Sequence, residues 1–372
     1  MSHLAFISLC AAMALPAASP GAQPMPAVAD APAPAPFVAA EARAAVETLA
    51  TALEENFVFP EAGKSYAVAL RSKLASGGYD RFDNAADFAK AVTEDLQRIH
   101  PDGHLRLHPP LARLEGGAPR AMRGPSPDGA IGRAGWIAKD IAYIAFNGFP
   151  GDPATVEKLK QFLAAHSSAK TLIIDARTHG GGGLAEMDAM FPHFYDKAQT
   201  LVQMDTRVAA EERHGSPMPD GPTLVKVSGP EGVFRRTHKV IPARTATGLR
   251  SAKIYLLTGG RTASAAEHLA LALKRTGRAT LIGEVTAGAG HYGGMLPLGG
   301  GYRAFIPVGR TFDPDTNEGW EGTGVKPHVE VPAERALAEA LLRSGVASAE
   351  AERLSAEYRP EGSMERRRPR TS

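Results

Sequence analysis

The chain has a single cysteine, Cys10, and it falls inside an apolar N-terminal segment, Leu4 to Leu15, that reads as a signal peptide with small residues at Ala18 and Ala22 for cleavage. A mature protein cut there has no disulfides and no thiol nucleophile, which suits a bacterial periplasm and excludes a cysteine hydrolase. Ile7-Ser8-Leu9 is a poor approach sequence for lipidation of Cys10, so release into the periplasm or medium is expected. Charge of one sign is also missing. The 42 basic and 40 acidic residues leave a net charge of +2, without the clustered basic surface of a nucleic-acid binder. The one basic run, Arg366 to Arg370, lies in the terminal tail. No later apolar run is long enough to span a bilayer. The histidines show no paired ligand spacing, so no metal is expected, and no cofactor.

What is present is enough for a globular core, with 44% apolar residues in 372. Residues 1–22 are assigned to the signal peptide. Residues 23–37 form a stiff linker, because Pro and Ala alternate there. Val46, Leu49, Leu53 and Phe57, and later Phe88, Val92, Leu96 and Ile99, recur at helical spacing, with a third helix expected from Tyr66 to Leu74. Residues 38–108 therefore read as a small helical domain. It ends in His100-Pro101-Asp102-Gly103-His104, where Pro and Gly stop the helix and hold His104 on a tight turn. Taken alone, a turn histidine is structural.

From Ala130 strands and helices alternate: Ala134 to Ile137, Ile141 to Phe146, a helix over Ala154 to Ala165, then Thr171 to Ile174. That texture predicts an α/β sheet with parallel strands. Gly180 to Gly183 separate the last strand from a helix expected over Leu184 to Tyr195. They let backbone N–H groups approach a bound group closely. A phosphate loop is the rival reading, but the chain lacks the Gly-Lys-Ser/Thr ending and the GxGxxG spacing. Residues 283–294, GEVTAGAGHYGG, read as a mobile glycine loop. A second, α/β domain is placed at residues 109–345 and a C-terminal tail at 346–372.

The richest stretch is Ile254 to Glu267. An apolar run of strand length stops at Gly259-Gly260 and feeds an Ala-rich helix as far as Arg275, with Ser264 at its N-terminus. A serine there is either a helix cap or an attacking oxygen, with the N–H of Ala265 beside it to hold an oxyanion. Near the end of the chain Glu321 sits beside Trp320 and between glycines. It is either a surface residue or a carboxylate whose proton affinity an apolar neighbour raises.

Four segments together, Ile173-Ile174-Asp175-Ala176-Arg177 with its glycines, Leu257-Thr258 through Glu267, Ala279 through Glu284 with Thr286-Ala287-Gly288, and Glu321 through Pro327, are ordered and spaced so that the chain resembles the tail-specific, or C-terminal-processing, serine peptidase family. The resemblance covers roughly residues 40–335. It implies a ClpP/crotonase-like α/β spiral core and a peptide or protein substrate. The processing branch uses a lysine where this chain has Ala289, and Lys274, farther along the helix, is badly placed to substitute. The branch that is similar to the tricorn core and the interphotoreceptor retinoid-binding protein repeats lacks that lysine. By that resemblance Ser264 is the nucleophile, His104 the base and Glu321 its partner, with Ala265 and Gly180 or Gly181 supplying the oxyanion N–H groups. Gly103 stands where tricorn-like enzymes carry a serine, and Leu107 to Ala130 leaves no room for a PDZ module. Two rival readings stay open, a non-catalytic carrier of an apolar ligand and a crotonase-type acyl-CoA enzyme. Export away from coenzyme A argues against the second.

Overall fold

The computed structural model describes residues 37–111 and 129–365. The signal peptide with Cys10, the Pro/Ala linker and the basic run Arg366 to Arg370 lie outside the described residues.

The chain opens with three helices, α1 (Ala39–Asn56), α2 (Pro60–Ala75) and α3 (Ala85–Ile99). Pro60 starts α2 at the position where its missing N–H costs nothing, and Asn84 caps α3 by accepting the Asp87 N–H at 2.8 Å. The turn at 100–105 follows, then β1 (Leu107–His108). Next come β2 (Ile131–Ala138), β3 (Ile141–Phe146), α4 (Pro153–Ala165), β4 (Thr171–Asp175) and a short α5 (Ala185–Met190). The helix expected over Leu184 to Tyr195 stops early, passing into a 3-10 turn at Phe191–His193 that contains Pro192.

Residues 199–240 build β5 (Gln199–Arg207), α6 (Val208–His214), β6 (Leu224–Val227) and β7 (Val233–Val240). Then come β8 (Lys253–Thr258), α7 (Ala265–Arg275), β9 (Thr280–Gly283), β10 (His291–Gly299), β11 (Tyr302–Phe312) and β12 (Val329–Glu330), and the chain closes with α8 (Ala336–Arg343) and α9 (Ser348–Glu357). Two of these elements differ from the sequence reading. β10 begins inside the stretch read as a mobile glycine loop, and α9 lies inside the stretch read as a tail. The helix α9 forms because Ala351 and Leu354 have a face of α8 to pack on.

Two six-stranded sheets organise the fold. One has the order β12-β9-β8-β4-β3-β2, parallel except for the β2 edge, as expected for alternating strands and helices. Alternate residues along β4 serve its two faces: Leu172 and Ile174 join the core under α4 and α7, while Ile173 joins the core under α8 and α9. The other sheet has the order β1-β11-β5-β7-β6, with β10 also on β11. The front helices pack on it rather than standing alone. Their core includes Leu298, Tyr302, Ala304 and Ile306 from β10 and β11, and β1 itself pairs with β11. That packing carries the 100–105 turn to the carboxyl end of β8, where α7 begins.

Candidate active site

β8 ends at Thr258, and Thr262 Oγ1 closes the turn by donating to Ala176 O and accepting from Gly259 N. The next residue but one, Ser264, has φ 57° and ψ −118°. A helix cap takes extended backbone angles, so this serine is held in a conformation that capping does not require. What holds it is Glu267. This buried carboxylate accepts the N–H groups of Ser264 and Ala289 on Oε2, at 2.8 and 2.9 Å, and Thr286 Oγ1 and the Gly288 N–H on Oε1, at 2.6 and 2.7 Å. Burial favours its protonated form and the four donors favour the ionised one, and the balance leaves its proton affinity raised to about 6.

The glycine run after β4 lies directly against Ser264. A Cβ on Gly181 would fall 2.8 Å from Ser264 Cβ and 3.3 Å from Oγ, so only glycine fits there. The run also corrects two sequence expectations. The Gly180 N–H donates to Asn147 O at 3.1 Å and the Gly181 N–H to His179 Nδ1 at 3.0 Å, so neither is available to an oxyanion. Gly182 differs. Phe149 bridges to it in parallel register through the Gly181 carbonyl and the Gly183 N–H, which turns the N–H of Gly182 itself away from Phe149. Gly182 lines the same cavity as Ser264 and Ala265, and Ala265 stands in the first turn of α7, where N–H groups have no intrahelical acceptor.

His104 lines this cavity of about 230 Å³ as well. Asp102 shapes its turn by accepting the N–H groups of His104 and Leu105 at 2.8 and 2.9 Å. The ring stacks on Phe305 at 5.0 Å between centroids, its Nδ1 is buried without a partner among the described residues, and burial lowers its proton affinity. Glu321 reaches the same turn but bonds to backbone, accepting from Gly103 N at 2.5 Å, Gly290 N at 2.6 Å and His291 N at 2.9 Å. Burial and the charge of Asp102 raise its proton affinity. Among the described residues no hydrogen bond joins its carboxylate directly to the His104 ring, the first of the two routes, direct or through a neighbouring hydroxyl, by which the resemblance has Glu321 act on that ring. Glu321 instead pins the turn of His104 to the loop that leads into β10.

That loop brings His291 to Asp102 of the turn, and the sequence reading passed over both as participants. His291 lines the cavity, and its Nδ1 lies 2.7 Å from Asp102 Oδ2. Burial raises the proton affinity of Asp102, but its hydrogen bonds from His291, His104 and Leu105 outweigh this and leave it below the ordinary carboxylate value. The only sequence signal was the repeated Gly-His, with Asp102 before the first, and Asp102 and His291 lie 189 residues apart. Asp102, His291 and Glu321 each bring one ligand atom within 4.8 Å of the others. All four carboxylate oxygens already accept protein hydrogen bonds, so no bare donor set is offered to a cation.

Other predicted residues are structural. Asp175 and Arg177 form a buried ion pair joined by Tyr143, with Arg177 Nη1 on Ala333 O at 3.0 Å. Lys274 points away, donating to Lys326 O at 2.7 Å. No helix among the described residues is long and apolar enough to cross a membrane.

Residues 140–331 match the family described as peptidase family S41, and residues 37–121 match the N-terminal domain of peptidase S41 in eukaryotic IRBP. Over 194 residues the chain is 25% identical to the carboxy-terminal processing protease CtpB of Bacillus subtilis (strain 168), an alignment covering 51% of this chain and 34% of that protein. The chain thus spans about a third of the length of this curated relative. Among solved structures, the fold is similar to the photosystem II D1 C-terminal processing protease, with TM-score 0.50 and 15% identity over 85% of this chain and 99% of that one. It is also similar to a protein described as a peptidase from Parabacteroides merdae ATCC 43184, with TM-score 0.53 and 16% identity over 87% and 98%. At these identities the likeness speaks for the α/β fold with its helical front region.

Proposed function

The chain belongs to peptidase family S41, and on that premise we propose that it is a serine-type hydrolase that cleaves peptides or proteins outside the cytoplasm, with Ser264 as nucleophile. The observation that carries the reading is the strained Ser264 at the start of α7, packed against Gly181 and sharing one cavity with three imidazoles, those of His104, His268 and His291. His104, kept neutral by burial, takes the proton from Ser264 Oγ as that oxygen attacks the substrate carbonyl. The N–H groups of Ala265 and Gly182 hold the resulting oxyanion, each such donor being worth about 10²- to 10³-fold in turnover. The imidazolium then returns the proton to the leaving amine, and water, deprotonated by the same ring, releases the acyl group from Ser264. Glu321 and Asp102 stabilise the transient cation by their charge and fix the turn that carries it.

A second reading gives the base to His291. It is favoured by the 2.7 Å hydrogen bond that His291 Nδ1 donates to Asp102, which fixes a ring as a catalytic histidine needs, whereas His104 Nδ1 has no partner among the described residues. The names of the relatives support a substrate that is a protein cut near its carboxyl terminus, and the N-terminal segment supports a periplasmic or secreted site of action.

The test is hydrolysis of casein and of short fluorogenic peptides by the wild type and by Ser264→Ala, His104→Ala and His291→Ala. Loss of about 10⁴-fold or more in Ser264→Ala, together with loss in one of the two histidine variants, is expected. Equal residual hydrolysis in wild type and Ser264→Ala, with tight lipid binding, would instead make the chain a carrier.

A further inference from the structure

A hydrogen-bonded line of three buried or half-buried side chains ends at the same cavity, and the hydrolysis described above does not use it. Asp188 Oδ1 on α5 lies 3.0 Å from His238 Nε2 on β7, and His238 Nδ1 lies 2.8 Å from His268 Nε2 on α7. Only the Asp188 end opens to solvent, its side chain being 34% exposed while that of His238 is fully buried. His268 is one turn along α7 from Ser264, whose carbonyl accepts its backbone N–H at 3.0 Å.

The line limits where the protons can sit. A carboxylate only accepts, so Nε2 of His238 carries a hydrogen. Burial and the neighbouring His238 hold the proton affinity of His268 well below the ordinary imidazole value, so that ring is neutral. His238 Nδ1 and His268 Nε2 share one hydrogen, and on His268 Nε2 it leaves His238 Nδ1 as the acceptor. His268 Nδ1 is then unprotonated, an acceptor in a cavity whose lining also includes the apolar side chains of Leu184, Met204 and Met218.

Resting on Ser264 as the nucleophile, we infer that His268 selects substrate: the cavity takes the side chain next to the carbonyl that Ser264 attacks, and prefers an apolar body that carries a hydrogen-bond donor, such as a phenol. A site with a buried acceptor discriminates against the analogue lacking the donor, because the acceptor is then desolvated and unpaired. His268 is a specificity residue here, and Asp188 and His238 are positioning residues that set its tautomer.

The probes are the p-nitrophenyl esters of N-acetyltyrosine and N-acetylphenylalanine, which differ by one hydroxyl. The Ser264-dependent kcat/KM is expected to favour the tyrosine ester by about tenfold or more, and that ratio is expected to fall toward one in His268→Phe. A merely structural role lowers both esters together and leaves the ratio unchanged, which overturns the inference. Because His268→Phe also removes a buried hydrogen bond, a proton–nitrogen correlation spectrum of the wild-type histidines gives an independent reading. It is expected to show His268 with Nε2 protonated and Nδ1 bare, and a protonated Nδ1 overturns the assignment. Equal rates for the two esters, with hydrolysis abolished in Ser264→Ala, reject the specificity role while the nucleophile stands. Hydrolysis that persists in Ser264→Ala removes both.

Discussion

Replacing Glu267 by Gln tests what holds Ser264 in place. The two carboxylate oxygens receive four donors, and a carboxamide keeps only one oxygen. The less costly orientation leaves the oxygen on Ser264 and Ala289 and turns the amide nitrogen toward Thr286 and Gly288. The Thr286 hydroxyl can rotate to accept, but the Gly288 N–H then faces another donor. One buried backbone N–H left unpaired costs about 1–3 kcal/mol. Glu267→Ala strands three backbone N–H groups, about 3–9 kcal/mol, which rivals the whole stability of a typical domain. Glu267→Gln should therefore fold with a lower urea midpoint while Ser264 keeps its backbone support, and Glu267→Ala should not accumulate as folded protein. The pH dependence adds a second arm. Because the folded-state proton affinity is raised to about 6 from an ordinary 4.5, the native protein takes up this proton before the unfolded chain does as pH falls. This carboxyl therefore adds stability as pH drops from about 6 toward 4.5 and withdraws it on the way back up, a change of about 2 kcal/mol. The slope should disappear in Glu267→Gln. A Gln variant as stable as the wild type, with the same slope, refutes the idea that this carboxylate organises the loop.

Other outcomes follow from the same geometry. If His104 is the base, its lowered proton affinity places the acid limb of kcat/KM below pH 6.5, and His291→Ala should keep that limb while His104→Ala loses most turnover. The opposite pattern transfers the role to His291. Gly182→Ala puts a methyl carbon 2.0 Å from Phe149 O at φ 138°. Hydrolysis should fall by about 10²-fold or more, with about 1–3 kcal/mol lost in urea unfolding, and near-normal rates would show that the Gly182 N–H has no part in the chemistry.

The strand, turn and helix around Ser264 were readable in the sequence because a short apolar run, paired glycines and an Ala-rich segment each follow local rules. Of the two proposed oxyanion donors, Ala265 was readable from its place after Ser264, and Gly182 was not. Which of the four glycine N–H groups are taken up depends on pairing with Asn147, Phe149 and His179, and residue identity carries no trace of peptide-plane orientation. β10 was missed because Gly293, Gly294 and Pro297 are poor strand residues, held in register by the long neighbour β11. The helix α9 was missed because its sequence is mostly polar or charged, and its apolar positions gain meaning only against α8. The partnership of Asp102 with His291 is a tertiary fact, as is the backbone role of Glu321. Both arise only once the front helices dock on β10 and β11.

The most direct measurement of the central claim is labelling of the purified protein with a fluorophosphonate, followed by mass mapping of the adduct. A single adduct on the peptide that contains Ser264, absent in Ser264→Ala and slowed in His104→Ala or His291→Ala, is the predicted result. An unlabelled protein that unfolds cooperatively, or an adduct on any other residue, contradicts it.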